Sequence, residues 1–234
     1  MRRTGLLSVT IATFIVVGCS NAKNTQKSGS EPPAQRGAAV GTGGAGADVK
    51  SDDEFVRDVA SKNMVEIELS RMALDKTTSR LVRAFAQMMV DDHGAAADKL
   101  KSVVTGQTIQ WPTQLDDKHR DTVDSLAKKQ GDEFDREYLK AMVEGHQDLA
   151  AKLESRLDVR SLQEWKTAAA GRTERNALPD PKGQLADVQV RPNQSNDAIT
   201  SRINQWAAET YPIVQKHLDN ARALENATEK RSSS

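Results

Sequence analysis

The fold is decided by two stretches with one pattern, Met89-Val90-Asp91-Asp92-His93 and Met142-Val143-Glu144-Gly145-His146. Each reads methionine, valine, acid, any residue, histidine, and each lies within a long run of apolar residues at helical spacing. Residues four apart are neighbours on one face of a helix, so each methionine should lie one turn before its histidine. The repeat therefore predicts two long helices that present the same pair of side chains to one interior.

Four long segments with this periodicity predict an all-α fold, a four-helix bundle with one short extra helix. The predicted bundle spans residues 51–226, and the short helix spans residues 114–129. Pro212 falls inside the last segment, where we expect it to kink the helix or to start a new one. The polar residues 227–234 are predicted to form a disordered tail.

The region between the third and fourth long helices departs from this regularity. Residues 159–196 carry several prolines towards their end and are predicted to form an inserted loop, which would be long for a compact domain. The apolar residues Leu162 and Trp165 leave a second interpretation open, in which the start of this region extends the preceding helix or forms a short helix of its own.

Each long helix carries an ionisable residue on or beside its apolar face, and inward-facing polar side chains are how bundles build metal sites. Histidine, carboxylate and methionine side chains suit zinc or copper, and the thioethers favour copper(I). Asp92 is predicted to be a structural polar residue of the core. The candidate ligands are Glu66, Met89, His93, Met142, His146 and His217.

A purely structural interpretation of the same residues stays open. Methionine commonly fills irregular gaps in a core, and a buried histidine needs no more than a hydrogen-bond partner. An enzymatic function is not favoured, because the chain lacks the Gly-x-Ser-x-Gly, phosphate-loop and His-Glu-x-x-His signatures. Glu144 and His146 are two residues apart, about 200° around a helix, and could not chelate one ion together.

The first residues read as a leader. Arg2 and Arg3 precede an apolar run from Leu6 to Val17 of about 12 residues, too short to span a bilayer, which needs about 20. The run ends in Val16-Val17-Gly18-Cys19, which resembles a bacterial lipoprotein box. We therefore predict a lipoprotein signal peptide over residues 1–18 and lipidation of Cys19, with a plain signal peptide as the alternative.

Cys19 is the only cysteine, so an internal disulfide and thiolate ligation of a metal are excluded. Residues 19–50 contain the lipidated cysteine and a stretch rich in Gly, Ala, Ser and Pro, predicted to be a disordered tether. Ser20, which is not an aspartate, resembles the outer-membrane class of lipoproteins. We therefore expect the membrane as a partner through the lipid anchor, with the protein facing the periplasm.

Charge and composition narrow the classes of partner. The 33 basic and 33 acidic side chains balance, which argues against nucleic-acid binding and against an electrostatic membrane patch. Aromatic residues make up only 4% of the chain, and a chain this rich in alanine and charged residues is typical of helical proteins.

Several of these motifs together resemble the exported bacterial family catalogued as domain of unknown function 4142. The resemblance implies an envelope location and a ferritin-like fold, and it brings no established reaction. The Glu-x-x-His pair of di-iron bundles is absent here, so ferroxidase or oxygenase chemistry is not expected. The likeness covers about residues 53–224 outside 159–196, and it rests on residues 55–69, Met89-Val90-x-Asp92-His93, residues 134–146 and Pro212-x-x-x-x-His217-Leu218.

The leading interpretation of the sequence is a lipid-anchored envelope protein that acts as a non-enzymatic binding or structural module. The alternative is an envelope protein that binds copper or zinc through the inward-facing histidine, methionine and glutamate side chains. The sequence indicates no particular protein partner for either function.

Overall fold

A computed structural model of the chain describes residues 45–173 and 188–232. The predicted signal peptide, Cys19 and the tether up to residue 44 lie outside the described residues. Within these two ranges the chain forms no strand, and the one isolated β-bridge joins Leu157 to Pro192. The all-α prediction is confirmed, with helices α1 (Ala45–Lys76), α2 (Arg80–Val103), α3 (Asp117–Ala127), α4 (Gly131–Glu154), α5 (Val159–Thr173) and α6 (Ala198–Ser232).

The four long helices form the predicted bundle. Helix α1 packs on α2 and α4, and α6 packs on the same two helices, so the four close around one interior. The short helix α3 lies against α1 and α4. Ser79 caps α2 by accepting a hydrogen bond from the amide of Val82, and Gly131 starts α4 with a left-handed φ of 56°.

The interior of the bundle divides along its length into two apolar clusters. What we call the Phe55 cluster includes Phe55, Val59, Leu100, Leu149, Leu153, Ile203, Trp206, Tyr211 and Val214. What we call the Tyr138 cluster includes Val65, Leu69, Val82, Phe85, Met89, Phe134, Tyr138, Met142 and Ala221.

A layer of buried polar residues separates these two clusters on all four long helices. Along α2 the Tyr138 cluster ends at Met89 and the Phe55 cluster begins at Leu100, with His93 between them. His146 occupies the equivalent place between Met142 and Leu149 on α4. The repeated sequence pattern thus places His93 and His146 at the same height along the bundle axis.

The region 159–196 does not match its prediction as a loop. Residues 159–173 form α5, because Leu162 and Trp165 are buried and Trp165 packs edge-on against Tyr211 at 5.3 Å between ring centroids. Residues 174–187 lie outside the described residues. Near the end of this region, Arg191 accepts a backbone hydrogen bond from Asp158, and Asn193 donates one to Arg156, so the chain is joined to the turn between α4 and α5.

Two helices extend beyond their predicted bounds. Helix α1 begins at Ala45, within the predicted tether, and α6 continues to Ser232, through most of the predicted tail. A helix already nucleated by packing extends at little cost into polar residues that tolerate it. Helix α6 also runs through Pro212 without a break, since packing of α6 on α2 and α4 outweighs the one backbone hydrogen bond that proline removes. None of the helices in the two described ranges combines the length and apolarity needed to cross a bilayer.

Candidate metal centre

Three histidines from three helices meet in the polar layer. One nitrogen from each of His93 on α2, His146 on α4 and His217 on α6 lies within 4.8 Å of the other two. The ring centroids are 5.2–5.5 Å apart, and all three side chains are buried. We call these three residues the histidine cluster. The structure thus brings together the three histidines that the sequence singled out.

Hydrogen bonds to the outer nitrogens fix the tautomers of two of these rings. Nδ1 of His146 lies 2.8 Å from the backbone carbonyl of Met142, which only accepts, so Nδ1 carries the proton and donates. Nδ1 of His93 lies 2.6 Å from Oδ1 of Asn63, whose Nδ2 donates to the backbone carbonyl of His93. The orientation of Asn63 therefore makes His93 Nδ1 a donor as well, and in both rings Nε2 keeps its lone pair.

His217 is held through its other ring nitrogen, Nε2, whereas His93 and His146 are held through Nδ1. Its Nε2 lies 2.8 Å from Oδ2 of Asp92, so Nε2 donates to the carboxylate. Its Nδ1 is buried and has no hydrogen-bond partner among the described residues. A buried nitrogen that makes no hydrogen bond is costly, and His217 Nδ1 is therefore the third available donor atom for an ion.

Burial keeps two of these rings neutral. It lowers the pKa of His93 from 6.5 to about 4, against the opposing effect of the Glu66 carboxylate and with reinforcement from the other two histidines. Burial also lowers the pKa of His217 to about 3, and His146 and Lys216 add to the shift. Neutral imidazoles are the form of histidine that binds metals.

The two Nε2 atoms of His93 and His146 lie 3.3 Å apart with their lone pairs available. In these tautomers neither atom donates to the other, and a cation placed between them could accept both lone pairs. Two nitrogens 3.3 Å apart that are each about 2.05 Å from an ion subtend about 107° at that ion. This is close to the tetrahedral angle that zinc prefers.

Glu66 lies behind the two Nε2 donors rather than among them. Its Oε2 is 3.1 Å from Nδ1 of His93, and its Oε1 is 3.4 Å from Nδ1 of His146. Its side chain is buried, and neither oxygen has a hydrogen-bond partner. Gly145 makes this position available, since a Cβ at residue 145 would lie 2.7 Å from Glu66 Oε1. The glycine of the second Met-Val-acid-x-His stretch therefore leaves room for the carboxylate.

The two methionines of the repeat lie in the Tyr138 cluster, next to the polar layer. Met89 is fully buried there, and the sulfur of Met142 lies 3.9 Å from the Ser70 hydroxyl, which donates to it. Ser70 in turn lies 2.9 Å from the hydroxyl of Tyr138, and burial raises the pKa of Tyr138. Both methionines thus belong to the Tyr138 cluster, and the Met142 sulfur is engaged by Ser70.

Asp92 corrects a sequence prediction. It is not a core residue, because its side chain is 46% exposed and reaches His217 from the surface. Neighbouring residues on a helix are about 100° apart, so His93 points inward while Asp92 points to the edge of the bundle. Asn63 was missed as a site residue, although it occupies a polar position within the apolar face of α1, which is the signal that could have found it.

The family model for a domain of unknown function, DUF4142, matches residues 38–175, which is more than half of the chain. The chain belongs to the DUF4142 family. The matched range contains Glu66, His93 and His146, whereas His217 comes from α6, beyond its end. None of the curated proteins and none of the solved structures gives a significant match to the chain. The ferritin-like relationship and the lipid anchor stay predictions for this member of the DUF4142 family.

Proposed function

We propose that this DUF4142 protein binds one zinc or copper ion in the histidine cluster and does so in the bacterial cell envelope, held there by a lipidated Cys19. The observation that carries the proposal is the 3.3 Å contact between Nε2 of His93 and Nε2 of His146, both with free lone pairs. A cation between them turns an unfavourable contact into two coordinate bonds.

The groups around the histidine cluster match those of known metal sites. A histidine that ligates a metal almost always donates its other ring nitrogen to a carboxylate, a carbonyl or water. Here Asp92 accepts a hydrogen bond from His217, and the Met142 carbonyl accepts one from His146. The side chain of Asn63 accepts one from His93. Each ring is thereby held with one donor nitrogen committed outward and one lone pair available.

The donor set favours a divalent ion. Three neutral imidazoles suit Zn²⁺ and Cu²⁺, whereas copper(I) prefers thioether or thiolate sulfur. The Met142 sulfur already accepts a hydrogen bond from Ser70. Three protein ligands would leave the fourth position of a tetrahedral ion to a small exogenous ligand such as water. We propose no reaction for the site and regard the protein as a binding module.

Metal titration of the purified protein tests this function directly. Protein extracted in detergent and stripped with a chelator should take up one Zn²⁺ or Cu²⁺ per chain with a dissociation constant below about 1 μM, well short of the strength of closed structural zinc sites. The double variant His93→Ala, His146→Ala should lose this uptake. Wild-type binding no tighter than tens of micromolar would overturn the proposal and favour a structural role for the cluster.

The fourth histidine provides a matched control. His119 lies on α3, where its amide is bonded to Asp116 and its ring pairs with the same carboxylate at 2.9 Å. It is remote in sequence from the cluster and belongs to another element. His119→Ala removes the same number of imidazoles as a single site variant, and it should leave the stoichiometry and affinity unchanged.

The envelope location has its own test. The leader-like residues 1–18 and Cys19 in a lipoprotein-like box support it. Cys19→Ser should release the protein from the membrane fraction into the soluble periplasmic fraction on cell fractionation. Retention of this variant in the membrane would show that another feature holds the protein there.

A further inference from the structure

We propose that Glu66 is the counter-charge that makes the histidine cluster select a divalent over a monovalent cation. The inference rests on the proposed metal-binding function and assigns Glu66 a role in it as a positioning and charge-balancing residue. Glu66 does not bind the ion, because its oxygens face the Nδ1 atoms of His93 and His146 while the Nε2 atoms face each other.

The carboxylate of Glu66 lacks any conventional partner. It is 99% buried, neither oxygen accepts a geometrically sound hydrogen bond, and no lysine or arginine pairs with it among the described residues. The Nδ1 protons nearest to it are directed at Asn63 Oδ1 and at the Met142 carbonyl. A buried carboxylate without a partner is strongly unfavourable, so this arrangement calls for positive charge nearby.

The position of Glu66 is defined with precision. Its two oxygens address two different rings, at 3.1 Å and 3.4 Å, so one carboxylate spans both imidazoles that share the short contact. Gly145 keeps the space for Oε1 free, at the cost of about 1 kcal/mol of helix propensity relative to alanine. Gly145 thus lies in the middle of α4 beside this carboxylate, where a larger side chain would displace it.

The fixed charges beside the site favour a divalent ion over a monovalent one. Imidazoles bind a metal in their neutral form, so these charges come from the carboxylates of Glu66 and Asp92. Each carboxylate attracts a divalent cation twice as strongly as a monovalent cation at the same distance. Asp92 is nearly half exposed and screened by water, so the buried Glu66 dominates the selection.

The test compares Zn²⁺ with Ag⁺, a monovalent ion that binds imidazole, in chloride-free buffer. Coulomb energy scales with the charge of the ion, so replacing Glu66 by a neutral residue should weaken Zn²⁺ by about the square of the factor for Ag⁺. For Glu66→Gln in the full chain we expect a loss of about 100-fold for Zn²⁺ and about 10-fold for Ag⁺, in line with the 10–100-fold typical of residues behind metal ligands.

The stability of the metal-free protein separates this role from a structural one. Glu66→Gln removes an uncompensated buried charge, so its melting temperature without metal should equal or exceed that of the wild type, while the gain on adding Zn²⁺ should shrink. Asp92→Asn is the matched control, because it neutralises the exposed carboxylate and should change the ratio of Zn²⁺ to Ag⁺ affinity less.

Each result has a distinct meaning. Wild-type protein that binds neither ion overturns the metal-binding function itself. Wild-type binding together with equal losses for both ions in Glu66→Gln, or with no loss, overturns the role of Glu66 alone. If Glu66→Gln does not fold, Gly145→Ala displaces the carboxylate without removing it, and an unchanged ratio of Zn²⁺ to Ag⁺ affinity in that variant also overturns this role.

Discussion

Helix α1 carries two buried carboxylates that differ in their partners. Asp52, 3% exposed, forms an ion pair with Arg156 and accepts a hydrogen bond from the Thr200 hydroxyl at 2.6 Å. Glu66, 1% exposed and about four turns further on, has only the edges of two imidazoles beside it. The first carboxylate has its counter-charge within the protein, and the second would gain one from the proposed cation.

The comparison shows what distinguishes a structural polar cluster from a binding site. Both sites are buried and both contain an acid, so burial and composition do not separate them. The hydrogen-bond inventory does, because the unsatisfied atoms of the described residues include both oxygens of Glu66 and Nδ1 of His217 and neither oxygen of Asp52. Unsatisfied buried groups gathered at one place call for an explanation, and the proposed cation supplies one.

The largest effect that we expect to separate the two sites is that of pH on the metal-free protein. His93 and His217 have folded-state pKa values lowered to about 4 and about 3, so the unfolded chain binds protons that the folded chain does not as pH falls below 6.5. Protonation of each histidine in the unfolded chain should lower the free energy of unfolding by about 2 kcal/mol between pH 7.5 and 5, and protonation of both should lower it by about 4 kcal/mol.

Urea unfolding at a series of pH values measures this loss. His217→Asn removes one of the two titrating groups and should reduce the loss by about half. A free energy of unfolding that is flat from pH 7.5 to 5 would contradict the neutral, buried state of the cluster.

The next largest effect is expected from removing the cation that pairs with Asp52. Arg156→Met keeps much of the side-chain volume but leaves Asp52 buried without its cation, and it removes the guanidinium stacked 4.3 Å from the centre of the Phe55 ring. Removing one partner of a buried ion pair costs about 3–5 kcal/mol. Chemical denaturation should show a loss of at least about 3 kcal/mol, independent of zinc.

Lys152→Met is the matched control for that variant. Lys152 on α4 pairs with Asp58 on α1 at 2.8 Å, and both side chains are more than a third exposed. An exposed pair of this kind contributes at most about 1 kcal/mol. Equal losses in the two variants would mean that the burial of Asp52 has no energetic consequence.

A smaller effect should distinguish the two glycines beside the repeated histidines. A Cβ at Gly145 would meet Glu66 Oε1 at 2.7 Å, so Gly145→Ala should destabilise by about 1–2 kcal/mol after the gain in helix propensity. A Cβ at Gly94 would meet nothing within 4 Å, so Gly94→Ala should stabilise by up to about 1 kcal/mol.

Thermal unfolding of the two alanine variants checks the sign of each change. Both positions lie inside long helices next to a histidine, so helix propensity alone predicts the same result for both. Opposite signs would demonstrate the contact between Glu66 and α4. Stabilisation by both substitutions would show that the carboxylate moves aside freely.

The sequence predicted the bundle and the meeting of the histidines because both follow from periodicity. The spacing of His93, His146 and His217 relative to the apolar residues places each on an inward face, and four such faces share one interior. The membership of the DUF4142 family was likewise readable from the motifs and is confirmed over residues 38–175.

The chemistry within the layer could not be predicted in the same way. Periodicity predicts which face of a helix a histidine lies on, but not which of its ring nitrogens points inward. The hydrogen bonds from Nδ1 of His93 to Asn63 and from Nδ1 of His146 to the Met142 carbonyl therefore had no signal in the sequence. The rotation of α2 about its own axis decides whether Asp92 lies in the core or at the edge of the bundle. A rotation smaller than the roughly 100° between successive residues is enough to change this. Helix α5 was left open because two apolar residues are too few to establish a period, and its partner Tyr211 lies far along the chain.

The two contacts that hold the histidine cluster together close chain loops of different length. The contact between His93 and His146 closes a loop of 53 residues, whereas the contact between Asp92 and His217 spans 125 residues. Loop closure costs more entropy as the loop grows, so the contact between Asp92 and His217 is the costlier of the two to form. In the proposed metal centre, an ion held by His93 and His146 would also bind His217 and so help to keep the longer loop closed.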